Sequence, residues 1–161
     1  MTTTTPARRS LSFATPADLL ADLQILQERG YFQLGRWNLA QTCHHLELWM
    51  RYPLDGYPRA PLPLRMVMLL LRHTLGPRQL RQVLTTGAFP GGAPTMPATL
   101  GQPDLDQPAA LDRLRQTLRR LEHHAGPLHP SPLYGPTDHA TTLRLHLIHA
   151  AHHLSLLVPK T

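Results

Sequence analysis

The sequence predicts an all-α protein, a four-helix bundle with one long crossover that carries a short extra helix. Three observations lead there. Leucines recur at three- and four-residue spacing in separate segments. Those segments open on capping residues and close on Gly or Pro. No run alternates apolar and polar residues for long enough to read as a strand. Composition agrees: 42% hydrophobic with only 6% aromatic residues suits leucine-rich helices better than sheets.

The first helix is expected over 16–29. Thr15 caps it, Pro16 suits its first position, Asp18 complements its dipole, and Gly30 stops it. Asn38 with Gln41 has the form of a capping box, opening a second helix over 39–52 that Pro53 is expected to end. Pro63 to Leu75 reads as a short helix, apolar almost all round, with Gly76-Pro77 as its stop. Residues 85–108 are rich in Gly and Pro, including Pro90-Gly91-Gly92, and read as a crossover packed on the surface. Leu111, Leu114, Leu118 and Leu121 mark a helix over 108–124, and Thr137-Asp138 caps a last one over 138–157. Together these make a single domain over 1–161, long enough to bury a core without staples.

The net charge is +6, carried by fifteen arginines and one lysine. Such a balance suits nucleic acid or an acidic surface. The arginines are nevertheless spread along the chain, and the run Arg113, Arg115, Arg119 and Arg120 lies on a leucine-periodic helix, where it reads as a solvated face. Nucleic acid is therefore not the expected partner. Cys43 is the only cysteine, so no intramolecular disulfide forms. Arg8-Arg9-Ser10-Leu11 has the start of a twin-arginine signal, but Asp18 and Asp22 fall where such a signal needs apolar residues. The longest apolar run, Met66 to Leu71, is far below the roughly 20 residues of a membrane span. A cytoplasmic protein with no membrane partner is expected, and a homodimer is left open.

Eleven histidines are a heavy load for 161 residues, and their placement carries the chemistry. His146, His149 and His153 follow at steps of three and four, which returns each to within about 60 degrees of the last on a helix. An i,i+4 pair such as His149/His153 is how one helix presents two imidazoles to one ion. His152 points about 100 degrees aside. A pair needs a third ligand, and the second helix offers His44 and His45. His45 shares the inward stripe of Leu46, Trp49 and Tyr52, while His44 sits nearer the flank and stays a competitor.

Glu47 and Cys43 are each two residues from His45 and point away from it. His123-His124 closes a helix, where imidazolium suits the C-terminal dipole. Asp55 and Tyr57, just past the second helix, suit a turn built on Asp-Gly, the slightly favoured reading, or groups that support the metal ligands or face substrate.

The stretch Trp37-Asn38-Leu39-Ala40-Gln41-Thr42-Cys43-His44-His45-Leu46, followed by Asp55-Gly56-Tyr57-Pro58, resembles the second-helix motif of the DinB/YfiT-like metalloenzyme superfamily. His149-Ala150-Ala151-His152-His153-Leu154-Ser155-Leu156 resembles its last-helix motif. Arg9-Ser10-Leu11-Ser12-Phe13, His129-Pro130 and Tyr134-Gly135 are similar to segments of one bacterial branch of unknown function, with Tyr134 standing where that branch has Phe. The resemblance spans nearly the whole chain in motif order. It implies a divalent metal held by one histidine of the second helix and two of the last, which by position are His45, His149 and His153.

Three neutral imidazoles leave at least one position open on an ion, the arrangement of a catalytic site. Zinc is the first expectation, with nickel, iron and manganese as the other ions. Some members of the superfamily are thiol-dependent transferases or hydrolases. The resemblance thus implies a metal-dependent enzyme of either type, acting on a small-molecule substrate such as a low-molecular-weight thiol. No Glu stands beside the histidines as a base, which leaves His146 as the nearest general-base candidate. The competing readings are a non-enzymatic metal-binding or stress-response module and a basic nucleic-acid-binding protein.

Overall fold

The computed structural model describes residues 6–90 and 96–160, so Gly91 and Gly92 of the crossover lie outside the described residues. The chain is mostly helical. Six helices follow in order: α1 Pro16–Arg29, α2 Leu39–Asp55, α3 Leu62–His73, α4 Gly76–Thr86, α5 Gln107–Glu122 and α6 His139–Leu154. A single 3₁₀ turn, Pro97–Thr99, lies in the crossover, and two short strands, β1 Tyr31–Gln33 and β2 Leu157–Pro159, complete the set.

The capping chemistry forms as the sequence requires. Thr15 and Asp18 exchange hydrogen bonds at the start of α1, and Asn38 and Gln41 do the same for α2. The Tyr31 hydroxyl accepts a hydrogen bond from the Leu39 amide at 2.9 Å, satisfying one more orphan donor there. Asp138 caps α6 by accepting from Thr141 N at 2.7 Å.

Leucine periodicity becomes the core. Leu19, Leu23 and Leu26 of α1, Leu46 and Met50 of α2, the α5 seam of Leu111, Leu114, Leu118 and Leu121, and Leu154 of α6 are all fully buried in one cluster. α2 lies along α5 and against α6, and α1 packs on α5 and α6.

Four expectations need correction. α2 runs through Pro53 to Asp55. A proline removes a ladder donor and crowds the carbonyl four residues back, and α2 continues only two residues beyond Pro53, whose own carbonyl accepts from His129 N at 2.8 Å. Gly76-Pro77 starts a helix rather than stopping one: proline suits the first helical turn, and Gly76 lies so close to the Leu133 carbonyl that a Cβ has no room. The crossover therefore carries two helices, α3 and α4, and not one.

The last helix ends at Leu154, because Leu157–Pro159 pairs antiparallel with Tyr31–Gln33 (Tyr31 opposite Pro159, Gln33 opposite Leu157). Finally, this small sheet exists at all. Three-residue strands are too short to show an alternating pattern, and the pairing comes from the tertiary closure of the two chain segments.

Arg8 and Arg9 fasten the N-terminal segment to the end of α6. Arg8 donates to Ser155 Oγ at 2.8 Å. Arg9 grips Asp22 with two nitrogens, at 2.5 and 2.8 Å, and donates to the Leu154 carbonyl at 2.9 Å. No helix among the described residues is long and apolar enough to cross a membrane.

Candidate metal centre

Facing α2 and α6 bring three histidines together. The His149 Nε2 stands 3.3 Å from the His45 Nε2 and 3.0 Å from the His153 Nε2, and one ligand atom from each of the three lies within 4.8 Å of the others. Nitrogens bound to one tetrahedral ion at about 2.0–2.1 Å stand roughly 3.3–3.4 Å apart, and at right angles about 2.8–3.0 Å. The two short separations fall in that span. These three histidines could hold a divalent metal.

The crossover gives one of them a hydrogen-bond partner. The Thr99 hydroxyl donates to the Met96 carbonyl at 2.8 Å, and its oxygen lies 3.0 Å from His45 Nδ1. A hydroxyl has one proton, so with that proton on Met96 the Thr99 oxygen must accept from His45 Nδ1–H. The His45 Nε2 is then left bare and aimed at the other two. A second residue that donates to a metal-binding imidazole in this way sets its orientation and raises its basicity.

Burial keeps the trio uncharged. Desolvation moves His45 down to about 4, with a backbone hydrogen bond at Thr99 opposing it. Desolvation likewise moves His153 down to about 3, helped by His45, and holds His149 well below the ordinary imidazole range. All three are neutral at pH 7, the form in which imidazole ligates.

Aromatic rings wall the cluster. Trp37 stacks on His153 with centroids 5.1 Å apart, Phe89 lies 5.2 Å from His149, and Trp49 packs edge-on at 6.0 Å from His149 and 6.3 Å from His45. The Trp49 indole N–H is buried and has no hydrogen-bond acceptor among the described residues. A family model described as a protein of unknown function (DUF1569) matches residues 5–160. The chain belongs to the DUF1569 family. No curated protein and no solved structure matches it.

In this DUF1569 protein the remaining candidates fall elsewhere. His44 is on the flank of α2 and outside the trio. His146 is buried one turn before His149, and desolvation lowers it to about 4. His152 packs edge-on against His153 and faces Phe89 rather than the cluster.

Glu47 is buried away from the histidines, accepting from Thr117 at 3.2 Å with Arg51 3.5 Å away. Asp55 pairs with Arg120 at 2.6 Å, which holds its carboxyl below the usual range and ties α2 to α5. Tyr57 packs on Tyr52, and Cys43 is fully buried with its thiol pushed up to about 12. His123 bonds the Arg119 carbonyl at the end of α5.

Sequence reasoning missed Thr99, Phe89 and the wall role of Trp37. Thr99 and Phe89 come from the crossover, where no periodicity says which way a side chain points. Trp37 was visible as the residue ahead of a capping box and the first of the second-helix motif, neither of which says that it stacks on His153. Gly87 is the readable signal for Phe89: its φ of 66° ends α4 in the left-handed region and turns the chain back.

Proposed function

We propose that this chain is a metal-dependent enzyme of thiol-transferase or hydrolase type, built on a four-helix bundle of the DinB/YfiT-like kind, with His45, His149 and His153 as ligands to zinc or a similar divalent ion. The observation that carries the reading is the convergence of three Nε2 atoms, one of them on a ring whose Nδ1 lies against the Thr99 hydroxyl. The ion, when bound, would supply Lewis acidity and a vacant position for substrate, since three protein ligands underfill even a tetrahedral shell.

The residues supply the rest. Trp37, Trp49 and Phe89 shield part of the cluster from bulk water, which strengthens electrostatic contacts on that side. The spare Trp49 N–H is a donor for a polar group of a bound ligand. His146 is neutral, one turn from His149, and is the proton acceptor this reading assigns. A small thiol is the substrate class, because a soft sulfur suits a borderline ion and the walls are apolar.

The experiment is Co²⁺ substitution followed by thiol titration. A sulfur-to-metal charge-transfer band is expected on adding a small thiol. No response to any cellular thiol, with the cobalt bound, would leave a metal-binding module instead.

A further inference from the structure

Six large apolar side chains stand in solvent on one short helix. Leu62, Leu64, Met66, Val67, Leu69 and Leu70 of α3 are between 46% and 67% exposed, and α3 buries none of its residues. By helical position Leu62, Met66, Leu69 and Leu70 share the outward side, while Met68, Leu71 and Arg72 are the half-buried ones. The usual amphipathic arrangement is thus inverted, and a contiguous apolar patch of this kind marks an interaction surface.

Charge segregates to the same stretch. Between Asp55 and Asp104 the chain has five arginines and neither Asp nor Glu, whereas the rest of it has eleven Lys or Arg against ten acids. Arg59, Arg65, Arg78 and Arg81 are exposed. Among the described residues every salt bridge is made by cations from outside this stretch. Nearly all of the net positive charge therefore lies where the exposed leucines are.

We propose that α3 and α4 dock on an anionic lipid bilayer, α3 seated by its apolar side among the headgroups and the arginines reaching the phosphates. Charge decides the occupant. A second copy of the chain would set arginine against arginine with no carboxylate on either limb, whereas an anionic bilayer offers both an apolar interior and negative charge. The 12 residues of α3 span about 18 Å, too short to cross a hydrocarbon core of about 30 Å. The expectation of no membrane partner rests on the lack of a span, and a helix lying in the interface needs none. α4 packs on both α3 and α6, so the docked limb is joined to the helix that carries His149 and His153.

The test uses the full, metal-loaded chain with vesicles of phosphatidylcholine, with or without phosphatidylglycerol. Co-sedimentation should be on the order of tenfold stronger with the anionic vesicles and weaken as salt is raised. Leu70→Glu should lose binding by about tenfold or more, at unchanged helicity and metal content. Arg78→Gln with Arg81→Gln should weaken it about fivefold per arginine. Equal binding to neutral vesicles, or full binding by Leu70→Glu, would overturn the proposal. So would a chain that ignores vesicles but forms a dimer that Leu70→Glu dissociates, since the face would then serve self-association.

Discussion

Thr99→Val tests the tautomer argument with almost no change of shape. Thr99 is fully buried, so valine fills its space, but the His45 Nδ1–H loses the oxygen 3.0 Å away. The Met96 carbonyl keeps a partner, because the Thr99 amide also donates to it at 2.9 Å. The loss therefore falls on His45. A buried donor left without an acceptor costs about 1–3 kcal/mol. His45 is then left with its backbone contact at Thr99 alone, or moves its proton to Nε2, which removes the lone pair that would face the metal. Either way affinity should drop, by the 10–100-fold typical for losing such a support, or about 1.4–2.8 kcal/mol. Competition against a chelator of known affinity measures this on purified protein. Thr99→Ser keeps the hydroxyl and should stay within a few-fold of wild type. Wild-type affinity in Thr99→Val, or equal loss in Thr99→Ser, would refute the reasoning.

Three further outcomes are expected. His45→Ala or His153→Ala should abolish stoichiometric metal binding, while His44→Ala and His123→Ala retain it; metal content of each variant decides, and an empty His44→Ala beside a loaded His45→Ala would reverse the assignment on α2. The second concerns pH. His45, His146 and His153 take up protons only near 4 or below in the fold, but near 6.5 once unfolded, so the unfolded chain binds more protons between these limits. Their contribution to metal-free stability is therefore complete above pH 6.5 and lost as pH falls toward 4, at up to about 1.4 kcal/mol per pH unit for each histidine. Bound metal should persist to about pH 5 and leave near pH 4 and below. Denaturant midpoints unchanged between pH 7 and 4.5 would contradict this. Third, Asp22→Ala should cost roughly 1–3 kcal/mol by removing the partner of the half-buried Arg9 guanidinium; a loss under about 0.5 kcal/mol by denaturant titration would show that the pair does not anchor the N-terminal segment.

The parts of the fold written in local chemistry were legible. Caps at Thr15, Asn38 and Asp138 and the leucine seam of α5 are local signals, and each formed. So were the three histidines, because i,i+4 spacing on α6 is a geometric statement and the stripe through Trp49 put His45 on the inward side. What the sequence did not show depends on distant contacts. Pro53 lies in the last turn of α2 with its carbonyl held by His129 N, and Gly76 opens a helix with the Leu133 carbonyl against it. The two strands pair across more than a hundred residues. The apolar circumference of α3 was plain, and only the packing of the other helices leaves that helix exposed.

The central claim is that three imidazoles hold one ion, and metal analysis tests it most directly. Protein purified without an affinity tag and dialysed at pH 7.5 should contain close to one divalent transition metal per chain, zinc foremost, and His153→Ala prepared in parallel should contain almost none. A wild-type chain that stays metal-free after incubation with excess zinc, nickel, iron and manganese, or a variant that holds as much as wild type, would contradict the account.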